Sequence, residues 1–265
     1  MLIALCSAKG APGVTTSALA LALSWPRPVI LAELDPAGGD VLAGYGRGES
    51  SAGGLADLEL AARRGGLARH LDGQLLRLDP EGRVRLLPGL ADPASARHVD
   101  WDRLAARLAS LEDGAVDVVA DCGRLHAEHF PAAVVQRGAA VVLVTGSTLR
   151  AVRAATRAIA ALRERDGRAG MLATLVIGPG EPYGEQEISE ALGVPVVGSL
   201  PRDPKAAAVL SDGAPAGRLF AQSALLRAAR TVATRLVESA TAHESRLMPP
   251  PAHASGTTVG GSRVR

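Results

Sequence analysis

The feature of this chain that most constrains its fold is a short apolar strand that leads through a glycine-containing turn directly into a helical segment. The strand covers residues 2–6, the turn has the sequence SAKGAPGVTT (residues 7–16), and the helical run continues to Ser24. In such an arrangement backbone N–H groups and a helix N-terminus converge on one point, which suits a phosphate group. The sequence therefore predicts a phosphate-binding turn at the end of the first strand of an α/β sheet.

The turn matches a standard phosphate-binding loop, G-x-x-x-x-G-K-[ST], only in part. Gly13 takes the second glycine position and Thr15 the hydroxyl position, whereas Ala8 replaces the first glycine and Val14 replaces the lysine. That lysine normally makes charge-assisted contacts with the phosphates, each worth about 1.5–3 kcal/mol. We expect its loss to weaken nucleotide binding roughly ten- to a hundredfold, and to impair turnover more than binding.

The loop resembles the deviant phosphate-binding loop of the ParA/MinD family of ATPases, x-K-G-G-x-G-K-[ST]-T, in which an early lysine reaches across a dimer to the partner's nucleotide. Lys9 stands five residues before Val14 and takes the position of that early lysine. Lys9 and Lys205 are the only lysines of the chain. The positions that fit the family pattern are Lys9, Gly10, Gly13, Thr15 and Thr16, whereas Ala11 and Val14 depart from it.

Three later segments resemble the same family in the expected order. Residues 29–39 (VILAELDPAGG) look like its D-x-D-P segment, with Glu33 at the first acidic position and Asp35 at the second. Residues 116–121 (VDVVAD) are similar to its Walker B strand, and residues 187–203 (EISEALGVPVVGSLPRD) to its C-terminal motif. The resemblance covers about residues 2–240 and implies a doubly wound, mostly parallel sheet of the P-loop NTPase type in three α/β/α layers.

The resemblance also implies a site for ATP and Mg²⁺. Thr15 would be a direct Mg²⁺ ligand, Asp121 would hold the ion through water, and Asp35 would orient the attacking water. The residues expected to hold the nucleotide are Lys9, Gly10, Ala11, Pro12, Gly13, Val14, Thr15 and Thr16 at the phosphates, and Pro201 and Asp203 at the base. The alternative for both carboxylates, Asp35 and Asp121, is that they cap nearby helices.

Turnover requires positive charge on the transferred phosphoryl group. The resemblance implies that Lys9 supplies it across a dimer. A second candidate is Arg124, three residues after Asp121, where the family usually carries proline and small residues. We hypothesise that Arg124 partly replaces the missing lysine, the alternative being a solvated arginine. The predicted catalytic residues are therefore Lys9, Asp35 and Arg124.

Composition limits the classes of protein further. A net charge of +2 gives no global attraction to nucleic acid, and no uncharged apolar run approaches the length of a membrane span. No basic segment precedes the first strand, so we expect a cytoplasmic protein. Cys6 and Cys122 follow strands near the expected nucleotide, and we interpret them as reduced, buried side chains rather than a redox pair.

The pattern of apolar residues predicts a single domain over residues 1–243 and a disordered tail over residues 244–265, which is rich in Pro, Gly, Ser and Thr. Helices are expected over residues 95–111, 148–165 and 218–239. The second of these carries Arg150, Arg153 and Arg157 on one face, a stripe that suits non-specific contact with DNA phosphates or, more simply, a solvated surface. The tail lacks the amphipathic pattern of a membrane-binding helix.

The function implied by the resemblance is a nucleotide-dependent homodimer switch in chromosome or plasmid partitioning or in intracellular positioning. ATP in each loop, closed by Lys9 of the partner, would favour a dimer that binds a partner protein such as a ParB-like one, and hydrolysis would be slow or absent because of Val14. Two alternatives stay open. One is a non-hydrolysing scaffold similar to the CpaE/TadZ branch, which localises pilus or secretion machinery, and the other is a pseudo-ATPase interaction protein.

Overall fold

A computed structural model describes residues 1–9, 12–48, 53–63, 70–111, 116–164, 170–180 and 182–247. These residues form an eight-stranded sheet with the order β3-β4-β2-β5-β1-β6-β7-β8. The short edge strand β3 pairs antiparallel with β4, and every other neighbouring pair is parallel. The strands are β1 Leu2–Ser7, β2 Val29–Glu33, β3 Leu76–Arg77, β4 Val84–Leu87, β5 Asp117–Arg124, β6 Ala140–Gly146, β7 Met171–Ile177 and β8 Val196–Leu200.

Helices cover both faces of the sheet. In chain order they are α1 Val14–Leu23, α2 Leu55–Arg63, α3 Trp101–Ala109, α4 Ala132–Arg137, α5 Leu149–Arg163, α6 Glu185–Leu192, α7 Pro204–Ser211 and α8 Ala224–Leu247. Helices α1, α7 and α8 share one apolar core with one face of the sheet, and α2 to α6 share the other. The predicted three-layer α/β/α architecture is confirmed.

Strand β1 shows why the sequence forms this sheet. All six of its residues are buried, because a parallel sheet covered on both faces needs apolar side chains in both directions. Successive side chains alternate, so that Ala4 and Cys6 enter the α5 side of the core and Ile3 and Leu5 enter the α1 side. The next residue in this alternation, Ser7, falls on the α1 side at the carboxyl end of the strand.

The phosphate-binding turn lies at the switch point of the sheet. The chain leaves β1 through α1 on one face towards β2, whereas it leaves the neighbouring β6 through α5 on the opposite face towards β7. Where adjacent connections diverge in this way, a crevice opens beyond the carboxyl ends of the strands, which is where ligands bind in open α/β sheets.

Two predicted helices differ in the structure. The helix expected over residues 95–111 divides into a 3-10 segment, Pro93–His98, and α3, because the Asp100 side chain accepts a hydrogen bond from the Arg103 N–H (3.0 Å) and starts a new helix there. The final helix begins at Ala224, after the 3-10 turn Phe220–Gln222, rather than near residue 218. It continues to Leu247, into the segment predicted as a tail, and residues 248–265 lie outside the described residues.

Helix α7 was not predicted. It begins with Pro204, whose fixed φ suits the first turn, and the Asp203 side chain caps it by accepting from the Ala206 N–H (3.1 Å). No helix in the described part of the chain combines the length and apolar character that a bilayer crossing needs.

Candidate nucleotide-binding site

The turn between β1 and α1 has the backbone geometry of an anion cradle at its helical end. Gly13 adopts a left-handed conformation (φ 86°, ψ 48°) immediately before α1, and its carbonyl accepts the bond from the Ser17 N–H (2.8 Å). The first N–H groups of a helix have no acceptor inside the helix, so those of residues 14–16 are available to a ligand. Gly10 and Ala11, two predicted cradle residues, lie outside the described residues.

Thr15 and Asp121 meet at the base of this cradle. The Thr15 Oγ1 hydroxyl donates to Asp121 Oδ2 (2.5 Å), and the Gly123 N–H donates to Asp121 Oδ1 (3.0 Å). Asp121 is buried, and within the described residues no cationic side chain pairs with it. Burial, reinforced by the carboxylates of Asp35 and Glu33, raises the pKa of Asp121 to about 6, although the bonds from Thr15 and Gly123 oppose that shift.

The environment of Asp121 fits a divalent cation. Asp117, the other buried aspartate of β5, accepts hydrogen bonds from Trp25 Nε1 (2.8 Å) and Arg27 Nε (2.8 Å) and is compensated by charge. Asp121 has only neutral donors. A hydroxyl and a carboxylate in contact at the phosphate cradle are the oxygen ligands that Mg²⁺ prefers when phosphate oxygens and water complete its shell. No group of three or more His, Cys, Asp or Glu side chains in the described residues forms a metal site independent of a ligand.

Asp35 lies against β5 next to Asp121. Its Oδ1 accepts from the Ala37 N–H (2.8 Å), and its carboxylate packs directly on Gly123. A Cβ at Gly123, which has φ +64°, would lie 2.1 Å from Asp35 Oδ2, so that only glycine fits there. Asp35 thus faces the same cavity as Thr15 and Arg124. The two acidic segments lie side by side, because β2 pairs parallel with β5 and aligns Glu33 with Asp121.

Glu33 connects two loops through hydrogen bonds, a role that its position in the motif does not predict. Its side chain is 3% exposed and accepts from two loops, from the Val41 N–H at Oε1 (2.8 Å) and from the Gly89 N–H at Oε2 (3.2 Å). Burial raises the pKa of Glu33. The side chain therefore fixes the segment after Asp35 to the loop after β4 and does not face the ligand cavity.

The cradle opens into a cavity of about 480 Å³. Its wall includes Val14, which is 8% exposed and packs into the α1 side of the core, where the standard motif would place a charged amine. The exposed Arg124 also contributes to the wall. Lys9 is exposed and does not line this cavity of its own protomer. The lining residues are Ser7, Pro12, Gly13, Val14, Thr15, Thr16, Leu19, Asp35, Ala37, Gly38, Asp40, Val41, Ala43, Gly123, Arg124, Leu210 and Ser211.

A second cavity of about 270 Å³ continues from the first along the loop. The two share Pro12, Gly13 and Thr16, and the second is also lined by the predicted base-site residues Pro201 and Asp203. Its size and partly apolar wall suit a planar base, while the first cavity suits the phosphates. The two cavities together are lined by these predicted site residues: Pro12, Gly13, Val14, Thr15, Thr16, Asp35, Arg124, Pro201 and Asp203.

Comparison with solved structures identifies the architecture. MinD from Pyrococcus horikoshii, solved with Mg-ADP, superposes with a TM-score of 0.72 at 19% identity, covering 91% of this chain and 98% of that one. A ParA family ATPase from Chlorobium tepidum gives 0.70 at 19% identity (89% and 98% covered). MinD in a MinC:MinD complex from Aquifex aeolicus gives 0.70 at 18% identity (90% and 96% covered).

The fold is that of the ParA and MinD ATPases. No protein-family model and no curated protein matches the sequence. At identities this low the likeness establishes the ParA/MinD fold alone, and the activity has to be argued from the side chains of this chain.

Arg202 is a residue of the base cavity that the sequence did not predict. A Cβ at Gly178 would lie 2.6 Å from Arg202 Nε. The Arg202 side chain therefore takes the space beside Gly178 and lines the base cavity. Sequence reasoning missed this contact because residues 178 and 202 are brought together only by the pairing of β7 with β8.

Other residues of the site were also not predicted. Ser7 lines the phosphate cavity from β1, Asp40 and Val41 from the loop after β2, and Leu210 and Ser211 from the end of α7. Only Ser7 had a signal in the sequence, because a polar residue follows an otherwise apolar strand at the start of the motif. The others reach the cavity through tertiary packing: a Cβ at Gly44, close to Val41 in sequence, would lie 2.4 Å from the Ser211 carbonyl.

The predicted arginine stripe lies apart from this site on α5. Arg150, Arg153 and Arg157 are all exposed, and none of them takes part in an ion pair found in the described residues. Cys6 and Cys122 are buried free thiols on the neighbouring strands β1 and β5. Burial and the neighbouring Cys6 raise the pKa of the Cys122 thiol, which favours the unreactive protonated form.

Proposed function

We propose that this chain binds Mg·ATP as a member of the ParA/MinD group and acts as a cytoplasmic, nucleotide-dependent homodimer switch in partitioning or intracellular positioning. The observation that carries the proposal is the contact between Thr15 and Asp121 beneath the Gly13 turn, with Asp35 on the same cavity. A hydroxyl, a buried carboxylate without a cationic partner and a row of free helix N–H groups together suit a magnesium-bound phosphate. A turn that only connects β1 to α1 has no need of them.

Lys9 is assigned to the partner's nucleotide. It is exposed and does not line its own cavity, as a residue that acts across an interface would be placed. In this proposal each protomer binds Mg·ATP, the Lys9 side chain of one protomer contacts the phosphates of the other, and the dimer forms only when ATP is bound.

Lys9→Ala tests the switch, with Lys205→Ala as the matched control because Lys205 is the other lysine and is also exposed. We expect the wild type and Lys205→Ala to bind a fluorescent ATP analogue with Mg²⁺ at micromolar affinity and to double their mass in light scattering. Lys9→Ala should remain a monomer at the same nucleotide concentration. Failure of the wild type to bind millimolar nucleotide would overturn the proposal in favour of an interaction protein.

Hydrolysis is proposed to be slow, because Val14 brings no charge to the phosphates. Arg124 lines the cavity close to Asp35 and is the candidate for partial compensation. Val14→Lys should tighten Mg·ATP binding about tenfold by restoring one charge-assisted contact, and it should raise the hydrolysis rate, whereas Val14→Met adds similar length without charge and should do neither. Arg124→Ala should lower whatever turnover the wild type shows; unchanged affinity and rate would leave Arg124 a solvated side chain.

A second candidate function is a non-hydrolysing scaffold of the CpaE/TadZ type for pilus or secretion machinery, and the buried Val14 favours it. ATP-dependent dimers without turnover would support the scaffold. The exposed stripe Arg150, Arg153 and Arg157 supports partitioning instead, with non-specific DNA as cargo or track and a ParB-like protein as partner. DNA binding that weakens steeply with salt and is lost when all three arginines become alanine would support that role.

A further inference from the structure

Ser7 carries a buried hydroxyl that has no hydrogen-bond partner in the described part of the chain. The residue is 1% exposed, and within the described residues its Oγ has no hydrogen-bond partner. The large majority of buried hydroxyls in proteins form a hydrogen bond, because a buried donor or acceptor without a partner costs free energy. Four buried side-chain atoms in the described residues lack a partner, namely Ser7 Oγ, Trp101 Nε1, Arg107 Nε and Thr174 Oγ1, and of these only Ser7 lines the phosphate cavity.

The position of Ser7 indicates what would satisfy it. Ser7 lines the phosphate cavity together with Gly13 and Thr15 at the N-terminus of α1, where the unpaired N–H groups favour negative charge. The buried carboxylate of the site, Asp121, accepts from the Thr15 hydroxyl and the Gly123 N–H and not from Ser7. An anionic oxygen of a ligand in the phosphate cavity is an acceptor that would satisfy the Ser7 hydroxyl.

The strand register places Ser7 at one particular end of the cavity. Ser7 is aligned with Arg124 of β5, after a shift in the strand register. The Asp35 carboxylate packs against Gly123, the residue before Arg124. Asp35 and Arg124 are the residues proposed to act on the transferred phosphoryl group. Ser7 therefore lies at the terminal-phosphate end, not at the end shared with the base cavity, which is formed by Pro12, Gly13 and Thr16.

We infer that Ser7 binds the terminal phosphate of the nucleoside triphosphate by donating its Oγ–H to a γ-phosphate oxygen. The inference rests on the proposed function, and it makes Ser7 a residue that distinguishes the triphosphate from the diphosphate. The contact supplies a neutral donor to a site whose charged donor is replaced by Val14. The contact made by Ser7 therefore exists in the triphosphate-bound state and is lost when hydrolysis removes the γ-phosphate.

Ser7→Ala tests this assignment, with Thr174→Val as the matched control. Thr174 is also fully buried with an unpaired hydroxyl, but it lies in β7 and does not line the cavity. Affinities for ATPγS and for ADP, each with Mg²⁺, would be measured by calorimetry on the full chain. Ser7→Ala should weaken ATPγS binding about tenfold and leave ADP binding within about twofold, and Thr174→Val should change neither.

The outcomes separate this inference from the proposed function. If the wild type binds both nucleotides and Ser7→Ala leaves ATPγS binding unchanged, or weakens ATPγS and ADP equally, the assignment of Ser7 is overturned and the proposed function stands. If the wild type binds neither nucleotide, both are overturned. A Ser7→Ala variant that unfolds would be replaced by Ser7→Cys, which keeps the volume and replaces the hydroxyl with a weak donor, and the same loss of ATPγS selectivity is expected.

Discussion

At the scale of single residues, the site depends on a glycine that no phosphate-binding motif marks. Gly123 combines a left-handed backbone with direct contact to Asp35, whose Oδ2 would lie 2.1 Å from a Cβ. Gly193 offers a matched position, because its φ of +62° is nearly the same and the nearest atom to a Cβ there is an ordinary 3.7 Å away. The two glycines therefore separate the cost of the backbone from the cost of displacing Asp35.

Gly193→Ala should lower the free energy of unfolding by about 1 kcal/mol, the usual cost of a left-handed alanine. Gly123→Ala should cost at least about 1–2 kcal/mol more, because the new methyl group has to displace the Asp35 carboxylate. Urea unfolding of both variants measures the difference. In the Asp35→Ala background that excess should disappear; an excess that persists would show that Asp35 is not the group that requires glycine.

The residue scale also shows what the sequence could not reveal about the site. Thr15, Asp35 and Asp121 could be selected from the sequence because each lies near the end of a recognisable motif. In the structure Thr15 contacts Asp121 and lines one cavity with Asp35. The buried role of Glu33 was not predictable, since its two acceptor bonds run to Val41 and Gly89, which only the fold brings close. A motif gives the type of residue at a position, whereas its burial and partners depend on tertiary packing.

At the scale of elements, strands were predicted more accurately than helix ends. Buried parallel strands such as β1 and β6 read as continuous apolar runs of strand length, which the sequence shows directly. Helix ends depend on single caps: Asp100 divides the helix expected over residues 95–111, and Asp203 starts the unpredicted α7. Because α7 spans only eight residues, its apolar periodicity is too short to detect in sequence.

Asp203 thus has two possible contributions, as the cap of α7 and as part of the base cavity, and substitution can separate them. Asp203→Ala should lower stability by about 1 kcal/mol, and Asp100→Ala, at the N-terminus of α3, by a similar amount. Asp203→Ser keeps a capping oxygen and should restore most of the stability. If Asp203 also contacts the nucleotide, Mg·ATP affinity falls in both Asp203 variants and not in Asp100→Ala; if it only caps, Asp203→Ser binds like the wild type.

At the scale of the whole molecule, the carboxyl edge of the sheet holds two buried carboxylates, Asp121 and Glu33, that form no ion pair within the described residues. The pKa of Asp121 rises from its ordinary 3.8 to about 6, chiefly through burial, and burial also raises the pKa of Glu33. Between those two pH values the folded state binds more protons than the unfolded state. The free energy of unfolding contributed by Asp121 therefore falls as pH rises through this window, and the contribution of Glu33 changes in the same direction.

Asp121→Asn is the variant that measures this effect, because it removes the titrating group and keeps one oxygen acceptor. The stability of the wild type minus that of Asp121→Asn should decrease between pH 4 and pH 7 by on the order of 2–3 kcal/mol, with most of the change below about pH 6. Urea unfolding without nucleotide or Mg²⁺ gives the difference at each pH, and acid effects common to both proteins cancel. Glu33→Gln should show a change of the same sign. A difference between wild type and Asp121→Asn that is constant over this range would mean that Asp121 titrates as in the unfolded chain and that burial does not destabilise its carboxylate.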